Sequence, residues 1–243
     1  MAGPRRRRSA VLGDLARAVS ALDAADPDLV DAISERLDAL RVRITRAGGD
    51  DVTIVGVTKR HPIGVIHAAM AAGIGDLGEN YAQELVEKSE QLTGDRPRFH
   101  FIGQLQTNKV RLVAPLASVI QTVDRPALVE ALVRRAAGAT VMIQVDLAGI
   151  VGRGGCAFDD APGLVALASG AGLNVSGLMG VAVPAQSDAD RVVARRSFER
   201  LRGLADELSL AEVSMGMSDD LEEAVGAGST MVRVGSALFG PRM

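Results

Sequence analysis

The chain has 243 residues, 47% of them hydrophobic, and a formal net charge of −3. That length holds one large α/β domain or two small ones, and no stretch reaches the ~18 uninterrupted apolar residues expected of a membrane span. A single cysteine, Cys156, excludes an internal disulfide and agrees with a reducing compartment. An aromatic content of 2% without tryptophan argues against stacking platforms for single-stranded nucleic acid.

In chain order, Arg5 to Arg8 form the one strong charge run. It reads as a solvated, disordered basic tail over residues 1–9; contact with nucleic acid or anionic lipid is the alternative. A twin-arginine export signal is rejected because Asp14, Arg17 and Asp23 interrupt the apolar stretch it needs, so a cytoplasmic location is expected. Val11, Leu12, Leu15, Val19 and Leu22 recur at helical spacing and predict a helix over 10–24. Asp26-Pro27 reads as an N-cap followed by proline at the first helical position. Leu29, Ile33, Leu37, Leu40 and Ile44 then give one apolar face to about 47, where Gly48-Gly49 stops the helix.

From there the pattern cycles. Strands are predicted near 52–57, 76–78, 98–102, 118–122, 140–146, 173–178, 212–215 and 230–234. Helical stretches fall near 62–73, 81–93, 106–114, 125–137, 159–170, 187–208 and 219–227, with a short helix after Ser236. Eight strands with helical connections predict a single (β/α)8 TIM barrel with extra N-terminal helices, spanning 10–243. An open doubly wound sheet is the alternative, but no strand is followed by G-x-G-x-x-G.

Polar clusters follow several strands, and a barrel would gather them on one rim. Lys59 closes the β-branched run Val52–Thr58, where a parallel strand should end. A lysine on a rigid strand end beside apolar walls loses its proton more readily than the reference value of ~10.4 implies, and the free amine can attack an aldehyde. A solvated terminal lysine is the plain alternative. Ser218, with acidic residues behind it, stands where a helix N-cap should be, and Gly235-Ser236 opens another short helix. Loops after strands seven and eight of barrels commonly bind phosphate; equally, Ser218 is only a cap and Gly235 only a turn residue. Arg233 interrupts Met231-Val232-Arg233-Val234, so its guanidinium must find acceptors, either a core carboxylate or a ring nitrogen of a bound heterocycle. His61 and His67 read as helix-surface residues and His100 alternates with Phe99 and Phe101, without metal-ligand spacing. Met215 and Met217 read as packing residues; Cys156 follows a Gly-rich loop, with exposure one reading of it, and no local feature marks it as a nucleophile.

An aldehyde-binding lysine, an anion cup and an unusual arginine together point to pyridoxal 5′-phosphate (PLP). The segments GVTKRHP (56–62), GENYAQE (78–84), HFIGQLQTNK (100–109), GLM (177–179) and SMGMSDDLEEAVGAGSTMVRVGSALFG (214–240) carry a resemblance to the PLP homeostasis proteins, the YggS/PROSC family. That family's fold is like the barrel domain of alanine racemase. The resemblance implies that Lys59 is the Schiff-base lysine, that Ser218, Gly235 and Ser236 hold the phosphate, and that Arg233 faces the pyridine nitrogen. Asn80 and Met179 would line the cofactor pocket. Three departures stand out: Asp146 where the family usually has Asn, Arg153 at a position commonly Lys, and Val181-Ala182 for a common Ile-Pro.

The expectation is a PLP-binding protein of vitamin B6 homeostasis, without catalytic turnover. The sequence stops at Met243, after the last barrel element, where alanine racemases continue into the domain that accompanies their catalytic tyrosine; Tyr81 is the sole tyrosine. A PLP-dependent amino-acid racemase or related weak enzyme is the alternative. Apo-enzymes that use PLP are the candidate recipients, nucleic acid and membrane are not expected partners, and a monomer is expected.

Overall fold

Local chemistry starts and stops the first described helix. The computed structural model describes residues 25–150 and 152–241, so the basic tail and the helix expected over 10–24 lie outside the described residues. Helix α1 (Pro27–Arg46) begins at Asp26, whose side chain accepts from the Asp28 N–H, with Pro27 in the first turn. It buries Ile33, Leu37, Leu40 and Ile44, each worth roughly 1.5–3 kcal/mol, and ends at Ala47 before Gly48 at φ +92°.

Strand and helix then alternate: β1 (Thr53–Val57), α2 (Ile63–Ala71), β2 (Asp76–Glu79), α3 (Ala82–Gln91), β3 (Arg98–Phe101), α4 (Val110–Val113), β4 (Val119–Val123), α5 (Pro126–Arg135), β5 (Thr140–Asp146), α6 (Ala161–Gly170), β6 (Asn174–Val181), α7 (Asp188–Glu207), β7 (Glu212–Ser214), α8 (Leu221–Gly226), β8 (Met231–Val234) and α9 (Ser236–Phe239). The strands form a closed parallel barrel in sequence order. Closure is made by β1 against β8, with Thr53 beside Met231 and Gly56 beside Val234. The predicted elements match this order. One of them is less regular than expected: residues 106–114 form a 3₁₀ turn at Thr107–Lys109 and one turn of α-helix.

Alternation along each strand separates two cores. In β5, Val141, Ile143 and Val145 belong to the large apolar layer under the helices, which also takes Leu178, Val213 and Val232. Met142, facing the barrel axis, meets Val119 and Met179. A polar chain also runs through the axis, beside Met231. Arg233 Nη1 donates to the Ser214 carbonyl and hydroxyl, both at 2.7 Å, and Nη2 donates to the Gly180 carbonyl at 2.8 Å. Ser214 donates to Gln121 Oε1 at 2.7 Å, Gln121 Nε2 lies 2.8 Å from His100 Nδ1, and His100 Nε2 lies 2.8 Å from Asp76 Oδ1. Arginine only donates, so Ser214 must pass its proton to Gln121 and the Gln121 amide must donate to His100. His100 is therefore the tautomer that gives Nε2–H to Asp76.

That last hydrogen bond, opposed by burial and aided by the charge of Arg98, holds Asp76 below the ordinary carboxylate range. A lowered carboxylate contributes stability above its unfolded pKa and loses it as the pH falls through the folded value. Asp76→Asn should therefore lower the urea midpoint at neutral pH. The midpoints of mutant and parent should converge as the pH is taken below ~3.9, the ordinary aspartate value.

Candidate cofactor-binding site

The carboxyl ends of the strands surround a cavity of about 560 Å³. Lys59, Asn80, Met179, Ser218, Arg233, Gly235 and Ser236, the seven residues singled out from the sequence, all lie on its wall. Each comes from an element that fixes it. Lys59 follows β1 in a turn closed by the His61 N–H on the Thr58 carbonyl at 3.0 Å. Arg60, the third residue of that turn, has φ +62°, a conformation that costs a non-glycine residue roughly 1–2 kcal/mol. Asn80 follows β2. Its carbonyl would lie 1.9 Å from a Cβ at Gly103, so the two loops approach this closely only because Gly103 has none.

The loop after β7 is braced from both sides. Arg43 of α1 donates to Glu222 through Nε and Nη2 at 2.6 and 2.8 Å, and to the Ser218 carbonyl at 3.1 Å. Arg191 of α7 donates to the Asp219 carbonyl at 3.1 Å and to Glu223 at 2.9 Å. Ser218 is not the N-cap expected of it. That position belongs to Asp220, because the intervening turn is closed by the Met217 N–H on Asp220 Oδ1 at 2.6 Å. Burial raises Asp220 above the ordinary carboxylate range, against the Met217 N–H and the charge of Arg233.

Gly235 caps the start of α9 with φ −110°. A Cβ there would meet Val57 at an ordinary 3.5 Å, so the backbone itself does not demand glycine. The first N–H groups of α9, at Ser236 and Ala237, fall outside any i→i−4 ladder, which leaves donors at this wall of the cavity. Burial pulls the Arg233 guanidinium down to about 10, with Asp220 opposing, and leaves it charged at neutral pH. Its three hydrogen bonds go to carbonyls and a hydroxyl, which leaves two of its five N–H groups for other acceptors.

Other wall residues were not singled out from the sequence: Gln104, Gln144, Arg153, Met217 and Asp219 among them. Gln104 sits in the polar run after the third strand, and Arg153 was noted only as a departure. Gln144 is a polar residue inside an apolar strand, the same pattern that exposed Arg233. Met217 lines the cavity, whereas Met215 is buried in the core as expected.

Two further readings need correction. His61 is buried ahead of α2, its ring 5.7 Å from that of Phe239, and is not on a helix surface. Cys156 is buried instead of open, and burial pushes its thiol up to about 11. Tyr81 is 47% exposed, engages Arg60 at 3.3 Å, and is not among the residues on the cavity wall.

The donor set suits an anionic aldehyde with a heteroaromatic ring. Lys59 supplies an amine, the start of α9 and Ser218 supply hydrogen-bond donors, and Arg233 supplies a buried cation. The amide oxygens of Asn80 and Gln144 are buried without a partner, which leaves polar capacity inside the cavity. Among the described residues, no group of three or more His, Cys, Asp or Glu is arranged to hold a metal ion. No described helix is long and apolar enough to cross a membrane.

Comparison with known proteins identifies the family and the fold. Residues 30–243 match the family described as alanine racemase, N-terminal domain. The pyridoxal phosphate homeostasis protein of Pseudomonas aeruginosa is 39% identical, with 86% of this chain and 96% of that protein covered. Its counterpart in Escherichia coli is 33% identical, with 88% and 97% covered. The structure of PipY from Synechococcus elongatus with PLP bound superposes with a TM-score of 0.75 at 32% identity, covering 86% of this chain and all of that one. Alanine racemase from Corynebacterium glutamicum shares the fold, with a TM-score of 0.70 at 20% identity over 62% of its length. By sequence and by fold, the chain belongs to the family of pyridoxal phosphate homeostasis proteins, built on the alanine racemase N-terminal barrel.

Proposed function

We propose that the protein holds PLP in the rim cavity, with Lys59 as the amine that joins it, and serves vitamin B6 homeostasis without turnover. The observation that carries this reading is the convergence of an amine, an anion-binding wall and a buried arginine on one cavity. PipY with PLP bound, at 32% identity, supports it. When bound, PLP supplies an aldehyde carbon to which an amine adds with loss of water. Ser218, Gly235 and Ser236 would hold its phosphate, Arg233 would donate to the ring nitrogen, and Asn80 and Met179 would flank the ring.

A carrier needs no more than this, whereas a racemase needs a base on each face of the substrate carbon. Lys59 and Asp219 are the titratable wall residues other than arginine among the described residues. Tyr81 stands outside the wall, engaged with Arg60. An arginine at the ring nitrogen would disfavour its protonation and weaken the ring as an electron sink, which racemases tolerate, so the distinction rests on the bases. These observations support a carrier over an enzyme. Its recipients would be apo-enzymes using the same cofactor, and we take it to act as a cytoplasmic monomer.

Borohydride reduction of the PLP-loaded protein should fix one pyridoxyl group, and peptide mapping should find it on Lys59. Lys59→Ala should remove the adduct while retaining part of the phosphate-dependent binding; an adduct on Lys109 instead would refute the assignment. Pyridoxal, lacking the phosphate, should bind clearly more weakly than PLP. Incubating the loaded protein with L-amino acids in deuterated water should give no racemisation at ordinary enzyme rates, roughly 1 per second or faster. Racemisation at such rates would favour the enzyme.

A further inference from the structure

Lys88 lies on the inner face of α3 and is buried, a rare state for lysine unless it is paired. Its ammonium donates to Glu79 Oε1 at 2.6 Å, to Glu84 Oε1 at 2.7 Å and to the Thr58 carbonyl at 2.7 Å. Three donors meet three acceptors, which satisfies the ammonium completely. The acceptors come from three places in the chain, and two of them reach the Lys59 turn. Glu79 Oε1 also accepts from the Thr58 hydroxyl at 2.6 Å, and Glu84 Oε1 accepts from the Arg60 N–H.

The consequence is geometric. The position and orientation of the Lys59 Cα are set by the two peptide planes that flank it. One plane carries the Thr58 carbonyl and the other carries the Arg60 N–H. The Lys88–Glu84 pair grips one group of each plane. It does so where the chain most needs holding, because Arg60 occupies a left-handed conformation that a side chain disfavours. Glu79 immediately precedes Asn80 on the cavity wall, so the same ammonium ties the loop after β2 to the loop after β1.

We propose that Lys88 is the positioning residue for Lys59: with Glu79 and Glu84 it locks both flanking peptide planes and so aims the Lys59 amine into the cavity. This rests on the reading that Lys59 is the amine that joins PLP. Burial raises Glu79 above the ordinary carboxylate range against the opposing charge of Lys88.

The proposal separates capture of the aldehyde from binding of the rest of the molecule. Lys88→Met, Glu84→Ala and Glu84→Gln proteins should be compared with the parent in two measurements. The first is the rate at which PLP added to apo-protein becomes borohydride-trappable on Lys59. The second is the affinity for pyridoxine 5′-phosphate, which has the phosphate and ring but no aldehyde. Lys88→Met and Glu84→Ala should slow trapping about tenfold or more, the scale expected of a misaimed reacting group, while pyridoxine 5′-phosphate affinity stays within about threefold. Glu84→Gln keeps the acceptor oxygen and should trap near the parental rate. Glu84 is partly exposed, so its variants remain informative if Lys88→Met fails to fold. Folded Glu84→Ala protein that traps on Lys59 as fast as the parent would overturn the proposal, as would a matching loss of pyridoxine 5′-phosphate affinity. Failure of the parent itself to form an adduct on Lys59 would instead overturn the reading beneath it.

Discussion

Closure of the parallel ladder between β1 and β8 is the constraint on which everything else depends. Because every strand runs the same way, closure brings eight chain segments that are distant in sequence onto one rim. Lys59 and Ser236 are 177 positions apart in number yet face one cavity, since β1 and β8 are hydrogen-bonded neighbours. Closure also removes sheet edges and encloses an axis filled by side chains. Any polar group pointing inward must then find its partners among other strands.

Two cations meet that demand in different ways. Arg233 spreads its hydrogen bonds over β6 and β7 and remains directed at the cavity. Lys88 turns away from the cavity and spends all three donors on the scaffold behind Lys59. Arginine's planar fork suits the first task, as its extra donors stay available. Lysine's compact, tetrahedral head suits the second. The extra helix α1 contributes through Arg43, which reaches across to Ser218 and Glu222. The N-terminal addition to the barrel thus belongs mechanically to the loop after β7.

The barrel was legible in the sequence because parallel strands buried on both faces read as dense β-branched runs, as in Thr53–Val57 and Thr140–Asp146. Arg233 was legible for the same reason: a charge inside such a run is conspicuous. Lys88 was not. On an amphipathic helix, a lysine flanked by glutamates looks like a solvated face, and only the fold shows that this face turns inward. The Ser218 cap was misplaced because Ser, Asp and Asp in succession offer three capping residues, and the Met217–Asp220 hydrogen bond that selects among them depends on tertiary packing. His61 was misread because helix periodicity does not reveal that Phe239, arriving from the far end of the chain, covers it.

The polar chain in the barrel axis carries one more consequence. The chain from Arg233 through Ser214, Gln121 and His100 to Asp76 has a residue that can only give protons at one end and, in its ionised form, a residue that can only take them at the other. Between such ends there is a single way to arrange the intervening hydrogens. The barrel therefore has a polarised filament through its middle whose sense cannot reverse while both ends keep their charge. Its positive terminus meets the rim cavity and its negative terminus lies at the start of β2. An electron-rich atom entering the cavity finds a field already oriented to receive it, with little reorganisation required of the protein.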